Sequence, residues 1–309
     1  MEYETAGDPV SGCKWTLKST EKIARQLRRA NIHVSPKTVA RLLKEMKYSL
    51  RVNVKTIESG SRKPLDPGQR DRQFRYIKRQ RQDFTRRDLP VISVDTKSRE
   101  LIGRFHQSGR TWGRESVEVL DHDFPSDAQG VGIPYSIYDT ARNEGFVCVG
   151  TSRDTSEFAV DSIRTWWLKA GRYHYPDADE ILILADCGGS NSNRIRLWKF
   201  QLQVAFCDRV GVRVRVCHYP PGASKWNPIE HRLFSFISAN WAGHPLESHE
   251  CMLKFIRATK TKAGLRVRAC LIEKQYQKGI KISDAQMRRV ALKRYRVNPD
   301  WNYSIAANV

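Results

Sequence analysis

Ile181-Leu182-Ile183-Leu184-Ala185-Asp186-Cys187-Gly188-Gly189-Ser190-Asn191 is the stretch that decides the fold. A short aliphatic run stopped by glycine reads as a buried strand of the parallel kind. Asp186 then falls at the strand's carboxyl end, where open α/β sheets place their ligands. Downstream, a basic helical segment over 193–210 leads to a second strand, Val212–Cys217. The loop His218-Tyr219-Pro220-Pro221-Gly222-Ala223-Ser224-Lys225-Trp226-Asn227-Pro228 opens into Ile229-Glu230-His231-Arg232-Leu233-Phe234-Ser235-Phe236-Ile237. Pro228 suits the first turn of a helix, so Glu230 lies near that helix's N-terminus. Ile229, Leu233, Phe236 and Ile237 recur at helical spacing and are expected to pack on the sheet. Asp186 and Glu230 thus converge on one sheet edge.

Upstream, Val91-Ile92-Ser93-Val94 is another short apolar run, and it ends in Asp95-Thr96-Lys97. Leu101–Phe105 is expected to return antiparallel beside it. Tyr135–Tyr138 and Gly145–Thr151 read as a strand pair around a turn at Asp139–Glu144. Thr155–Leu168 is amphipathic through Phe158, Ile163, Trp166 and Trp167, a helix leading to the strand at Ile181. Three strands, a helix, a strand, a helix, a strand and a helix make the order of a ribonuclease H-like mixed sheet flanked by helices. In that arrangement the first and fourth strands are neighbours, so Asp95 and Asp186 meet although far apart in sequence. Clustered carboxylates repel one another unless cations lie between them. Their hard oxygens suit Mg²⁺ or Mn²⁺, and two ions about 3.5–4 Å apart clamp the attacking and leaving oxygens of a phosphoryl displacement. Taken singly, Asp186 reads as a turn residue and Glu230 as a partner of the helix dipole; the ordered triplet carries the reading. Asp121-His122-Asp123 is a weaker metal-like cluster whose spacing before proline also fits a turn.

Charge points the same way. The 309 residues hold 54 Lys and Arg against 33 Asp and Glu, a formal charge of +21, which favours a polyanionic partner. More than half of the excess lies before residue 90. No apolar run reaches membrane-spanning length and Met1 opens no signal peptide, so no membrane partner is expected. The seven cysteines show no C-x-x-C spacing, which argues against a disulfide scaffold or zinc module and for a reducing cytoplasm.

Residues 1–50 form a candidate helix-turn-helix DNA-binding region. Ser19 can cap a first helix with apolar positions Ile23, Leu27 and Ala30, and Asn31 tolerates the left-handed conformation at its end. Ser35-Pro36 is an N-cap followed by proline at N1. Val39, Leu42, Leu43 and Met46 form a core stripe, leaving Lys37, Thr38, Arg41 and Lys44 for DNA on a recognition helix over Pro36–Tyr48. An ordinary helical hairpin with a solvated basic face fits the same residues. A basic linker and helix follow over 51–88, with apolar positions too sparse for a strong core face. The catalytic core is expected over 89–245. A basic extension over 246–309 is expected to carry a β-hairpin, Leu265–Ile272 with Gly279–Ser283.

Nearly the whole chain, from Asp8-Pro9 to Trp301-Asn302-Tyr303, resembles DDE-type insertion-sequence transposases of the Rhodopirellula-type family. The marks are Thr38-Val39-Ala40-Arg41-Leu42-Leu43, Val91-Ile92-Ser93-Val94-Asp95-Thr96-Lys97, Ile133-Pro134-Tyr135, Asn143-Glu144-Gly145 and Phe158-Ala159-Val160. They continue in Ala185-Asp186, Gly188-Gly189-Ser190-Asn191 and Arg196-Leu197-Trp198-Lys199. The most specific are Pro220-Pro221-Gly222, Ser224-Lys225-Trp226-Asn227 and Ile229-Glu230-His231-Arg232-Leu233-Phe234-Ser235. The resemblance implies that Asp95, Asp186 and Glu230 are catalytic and bind two Mg²⁺ or Mn²⁺ ions, with Asn227 supporting them and Lys225 a further DNA contact. It implies DNA partners (element ends and target), a homo-oligomer on DNA, and a bacterial cytoplasm near the nucleoid. Cleavage of element ends would be followed by strand transfer through the freed 3′-hydroxyl. Hydrolysis without transfer, or an inactive DNA-binding remnant, are the alternatives. Two departures stand out: the family usually carries a longer N-terminal region with a further DNA-binding unit, and Cys187 stands where glycine is expected, which would constrain the turn after Asp186.

Overall fold

The structure, a computed structural model, describes residues 6–7, 14–15, 18–50, 68–112, 115–121 and 125–308. The chain divides into two compact units, Met1–Thr56 and Ile57–Val309. In the first, helices α1 (Thr20–Arg29) and α2 (Pro36–Glu45) pack through Ile23, Ala24 and Val39, with Leu27, Val34 and Leu43 beside them. Both are capped where the sequence indicates. Ser19 accepts from the Lys22 amide and Ser35 from the Thr38 amide, and Asn31 takes a φ of 60°. The expected stripe of α2 is only half covered: Leu42 and Met46 are 40% and 63% exposed. A single partner helix shields one side of an apolar stripe and no more.

The second unit holds a nine-stranded sheet. Its strands are β1 (Val91–Thr96), β2 (Glu100–Ile102), β3 (Gly130–Asp139), β4 (Glu144–Gly150), β5 (Glu180–Ala185), β6 (Arg213–His218), β7 (Arg266–Ile272), β8 (Leu292–Arg294) and β9 (Asn302–Ile305). Their order is β8-β9-β6-β5-β1-β3-β4-β7, with β2 on β3. The central five, β6-β5-β1-β3-β4, have β1, β5 and β6 parallel and β3 antiparallel to β1 and β4. This is the ribonuclease H-like arrangement. Two expectations fail beside it. β2 pairs with the start of β3 rather than with β1, because β3 runs long enough to serve both. Arg266–Ile272 forms no hairpin with residues 279–283; β7 lies parallel to β4 in register from Glu144↔Arg266 to Gly150↔Ile272. Burial of Val267 and the half-buried Ala269 and Leu271 against the helix layer outweighs a local turn.

Helices cover both faces. On one, α4 (Ser156–Trp166) and α5 (Arg196–Gln201), with the turns after each, bury Phe158, Ile163, Trp198, Leu202 and Phe206 against Ile92, Val94, Ile137 and Ile183. On the other, α3 (Gln69–Arg86) lies over β5 and β6, while the helix from Glu230 through α6 (Ser235–Asn240) and α7 (His249–Ala258) cover the β3–β4–β7 half. The apolar positions of α3 are sufficient for a core face after all. Tyr76, Ile77 and Phe84 are buried, and the two glutamines that interrupt them are paired: Gln73 bonds the His218 carbonyl and Asn302, and Gln80 accepts from Arg215. Arg72, Arg75, Lys78, Arg79, Arg81 and Arg86 stay on the exposed side. Among the described residues no helix is long and apolar enough to cross a membrane.

Candidate active site

Two parallel strands bring the first two carboxylates together. The pairing of β1 with β5 runs Val91↔Leu182, Ile92↔Ile183, Ser93↔Leu184, and the same step carried forward sets Asp95 opposite Asp186. The third carboxylate arrives with the helix begun at Pro228. Ile229, Leu233 and Ile237 are fully buried against the sheet, one residue every fourth. Phe236, expected in that stripe, is 39% exposed; it follows the Glu230–Phe234 turn, which is wound wider, in π fashion. Such turns are frequent at functional sites.

Asn227 braces the mouth. Its amide nitrogen donates to Asp186 Oδ1 at 3.0 Å, its amide oxygen accepts from Ser93 Oγ, and its backbone carbonyl accepts from the Glu230 amide. Ser93 Oγ in turn accepts from the Ile229 amide at 3.2 Å. The residue at the helix cap therefore spends its side chain on β1 and Asp186. A second brace reaches Asp186 from behind. The Asp186 carbonyl can only accept, so His218 Nδ1 carries the proton that bonds it at 2.9 Å. His218 Nε2 is then an acceptor, Tyr303 Oη donates to it at 3.0 Å, and Trp198 Nε1 donates to Tyr303 Oη at 2.9 Å. Burial pushes His218 down to about 4, so the ring is neutral at physiological pH. Tyr303 belongs to β9, so the final strand of the sheet steadies the turn that presents Asp186.

The carboxylates are held away from their ordinary pKa. Burial, then the Asp186 charge, with smaller pushes from Glu230 and Asp154, raise Asp95 to about 8. Burial raises Asp186 to about 6, opposed by the Asn227 bond and assisted by Glu230. Glu230 is raised by burial, against His231 and Lys97. Partly buried carboxylates that push one another toward the neutral form lack counter-charge. Hard, anionic oxygen donors of this kind fit a small divalent cation. Among the described residues no three His, Cys, Asp or Glu side chains are already gathered around one point, so ion binding would require the carboxylates to draw together.

Two clefts flank the site. One, of about 340 Å³, is lined by Thr96, Lys97, Ser98, Glu230, Phe234, Ser235 and Ser238. The other, of about 320 Å³, includes Asp95, Arg99, Arg153, Asp154 and Lys278. Asp154 escaped the sequence reading. It accepts from Thr96 Oγ1 at 3.2 Å, and it follows β4, whose carboxyl end shares the edge with those of β1 and β5. The rule that singled out Asp186 could have found it. His218 and Tyr303 offered no such signal.

Cys187 does not constrain the turn. It is absent from the left-handed residues, and that conformation falls on Gly189 at φ 64°. Its buried thiol donates to the Tyr219 carbonyl at 3.1 Å. Lys225 is exposed on the turn Ser224–Trp226. Lys37, Thr38, Arg41 and Lys44 belong to the N-terminal unit. There Lys37, Arg41 and Lys44 are exposed, Arg41 reaches Glu45 at 3.7 Å, and the Thr38 hydroxyl shares a hydrogen bond with Ser35. His122 and Asp123 lie outside the described residues, as does the linker over 51–66.

The profile of the family described as Rhodopirellula transposase DDE domain matches residues 1–307. No curated protein sequence matches. Among solved structures, the chain is similar to the Mos1 transposase paired-end complex with left transposon end (14% identity, TM-score 0.44, 77% of this chain and 65% of that one). It is similar also to the Mos1 mariner paired end complex with Mn (14%, 0.43, 77% and 65%) and to the Mos1 strand transfer complex (14%, 0.43, 77% and 64%). The chain thus spans less than two thirds of those Mos1 chains.

Proposed function

The chain belongs to the Rhodopirellula transposase DDE-domain family, and on that premise we propose that it cuts DNA at the ends of a mobile element and joins the freed 3′-hydroxyl to target DNA. The observation that carries this reading is the meeting of Asp95 and Asp186 at adjacent strand ends, with the start of the Glu230 helix tied to Asp186 and to β1 through Asn227 and Ser93. Asp95, Asp186 and Glu230 would hold two Mg²⁺ or Mn²⁺ ions. Bound there, the ions supply the positive charge that stabilises the attacking and leaving oxygens of phosphodiester displacement. Asn227 fixes one Asp186 oxygen, and the His218–Tyr303 pair fixes the backbone that bears it. Lys97, held by Glu100 at 3.1 Å in the cleft with Glu230, places a cation where a phosphate would enter. Water attacks first and liberates a 3′-hydroxyl; that hydroxyl then attacks the target at the same carboxylates.

In the N-terminal unit, α2 would enter the major groove, with Lys37, Arg41 and Lys44 on phosphates and Thr38 near the base edges. Joining two ends in one event calls for a second copy of the chain on the DNA. The test is a labelled duplex carrying an element end, incubated with the protein and Mg²⁺ beside a target plasmid. Nicked ends and labelled plasmid are expected. Cleavage without plasmid labelling would reduce the activity to hydrolysis, and neither product would overturn the reading.

A further inference from the structure

A line of aromatic rings runs from the carboxylates to the surface. At its inner end Tyr219 is 3% exposed, and its amide donates at 2.8 Å to the carbonyl of Ala185, the residue before Asp186. Its ring centre lies 6.1 Å from that of Phe74 on α3, and Phe74 meets Trp226 edge-on at 5.9 Å. Trp226, at the outer end, is 58% exposed. It immediately precedes Asn227, whose side chain points the other way, inward to Asp186 and Ser93. Successive residues thus serve the interior of the site and its rim.

An exposed indole leaves a large apolar area in water; Trp112 is exposed too, whereas Trp166, Trp167, Trp198, Trp241 and Trp301 are buried, and of these two exposed indoles Trp226 is the one beside Asn227. Phe74 packs against Trp226 in a T-shaped pair, with the ring planes at 71°. Two cations accompany the rings: Lys225 Nζ stands 5.6 Å from the Trp226 centroid, and the Arg70 guanidinium 6.0 Å from that of Phe74. Aromatic faces interleaved with cations are how proteins hold single-stranded nucleic acid, by stacking on bases and pairing with phosphates. A base inside a duplex has both faces covered, so the ring would take an unpaired one.

We propose that Trp226 is a stacking platform for one unpaired nucleobase beside the bond being cut, with Lys225 and Arg70 holding the adjacent phosphates. The site rests on DNA being the substrate, and it adds that the strand near the carboxylates is locally open. A purely structural Trp226 would cap Phe74 and have no preference among DNA forms.

The experiment compares two probes by fluorescence and binding: a duplex with a short single-stranded arm carrying 2-aminopurine, and a blunt duplex with 2-aminopurine paired. Wild-type protein is expected to bind the armed duplex more tightly and to change the arm's fluorescence. Trp226→Ala is expected to lose about tenfold in affinity for the armed duplex and to keep its affinity for the blunt one. Trp226→Phe, which retains an aromatic face and the contact with Phe74, is expected to recover most of the loss; it decides the matter should Trp226→Ala unfold. Equal weakening on both probes, or no weakening on the armed one, would overturn the platform while leaving DNA as the substrate. Failure of the wild type to bind either probe would overturn both.

Discussion

Replacing Asp95 by asparagine should make the metal-free protein more stable while abolishing its chemistry. Asp95 sits at about 8 in the fold against 3.8 for the free side chain. A carboxyl raised in this way is protonated in the folded chain and ionised in the unfolded one between those two values. Folding therefore takes up a proton, and stability falls as pH rises from about 4 to about 8. At pH 7 the linkage amounts to about 4 kcal/mol at 1.36 kcal/mol per pH unit. Water entry and relaxation around an open cleft reduce what a variant recovers to about 2 kcal/mol. In a unit of this size that is roughly 4–6 °C in Tm. Asparagine keeps an oxygen for the Thr96 amide that now bonds Asp95 Oδ1 at 2.8 Å, so the local geometry survives. The assay is thermal unfolding at pH 5, 7 and 8, with and without Mn²⁺. Wild type should lose stability as pH rises and regain it with Mn²⁺; Asp95→Asn should start higher, change less with pH and respond weakly to the ion. A variant less stable than wild type at pH 8, or one stabilised equally by Mn²⁺, would refute the reasoning.

Asn227→Ala removes the bond that lowers Asp186, so the acidic limb of the activity profile should move to higher pH, at a stability cost of about 1–3 kcal/mol for the unpaired Ser93 and Asp186 groups; an unmoved limb would separate Asn227 from Asp186. Tyr303→Phe leaves the Trp198 N–H and His218 Nε2 without partners, and urea unfolding should show a loss of about 1–3 kcal/mol, with cleavage falling further than DNA binding. Deletion of residues 19–50 should remove preference for element ends and leave salt-sensitive, non-specific binding; equal loss of both would assign α1 and α2 a purely structural part.

What the sequence disclosed and what it hid have physical reasons. Asp95 and Asp186 were legible because each ends an aliphatic run, and parallel strands deliver their carboxyl ends to one edge. Glu230 was legible because Pro228 marks a helix start two residues earlier. The partner of β7 was hidden because it lies more than a hundred residues upstream, and nothing local in Leu265–Ile272 distinguishes a parallel edge strand from one arm of a hairpin. The core face of α3 was hidden by Gln73 and Gln80, whose burial depends on partners as distant as Asn302 and Arg215. The brace behind Asp186 was hidden for the same reason, since a histidine and a tyrosine 85 residues apart acquire a joint role only when β9 lies beside β6.

That placement of β9 has a consequence for how the protein is made. The strand that steadies the Asp186 turn is translated more than 80 residues after β6, and β6 waits for it with an open edge. A nascent chain that has not reached Tyr303 has its three carboxylates but not the Trp198–Tyr303–His218 support behind them. Premature termination shortly before Asn302 would leave the metal-ligand candidates intact and the turn unsupported. Synthesis of β9 is thus a checkpoint on the site: a product truncated before it keeps the basic surfaces proposed to hold DNA and lacks the support behind Asp186.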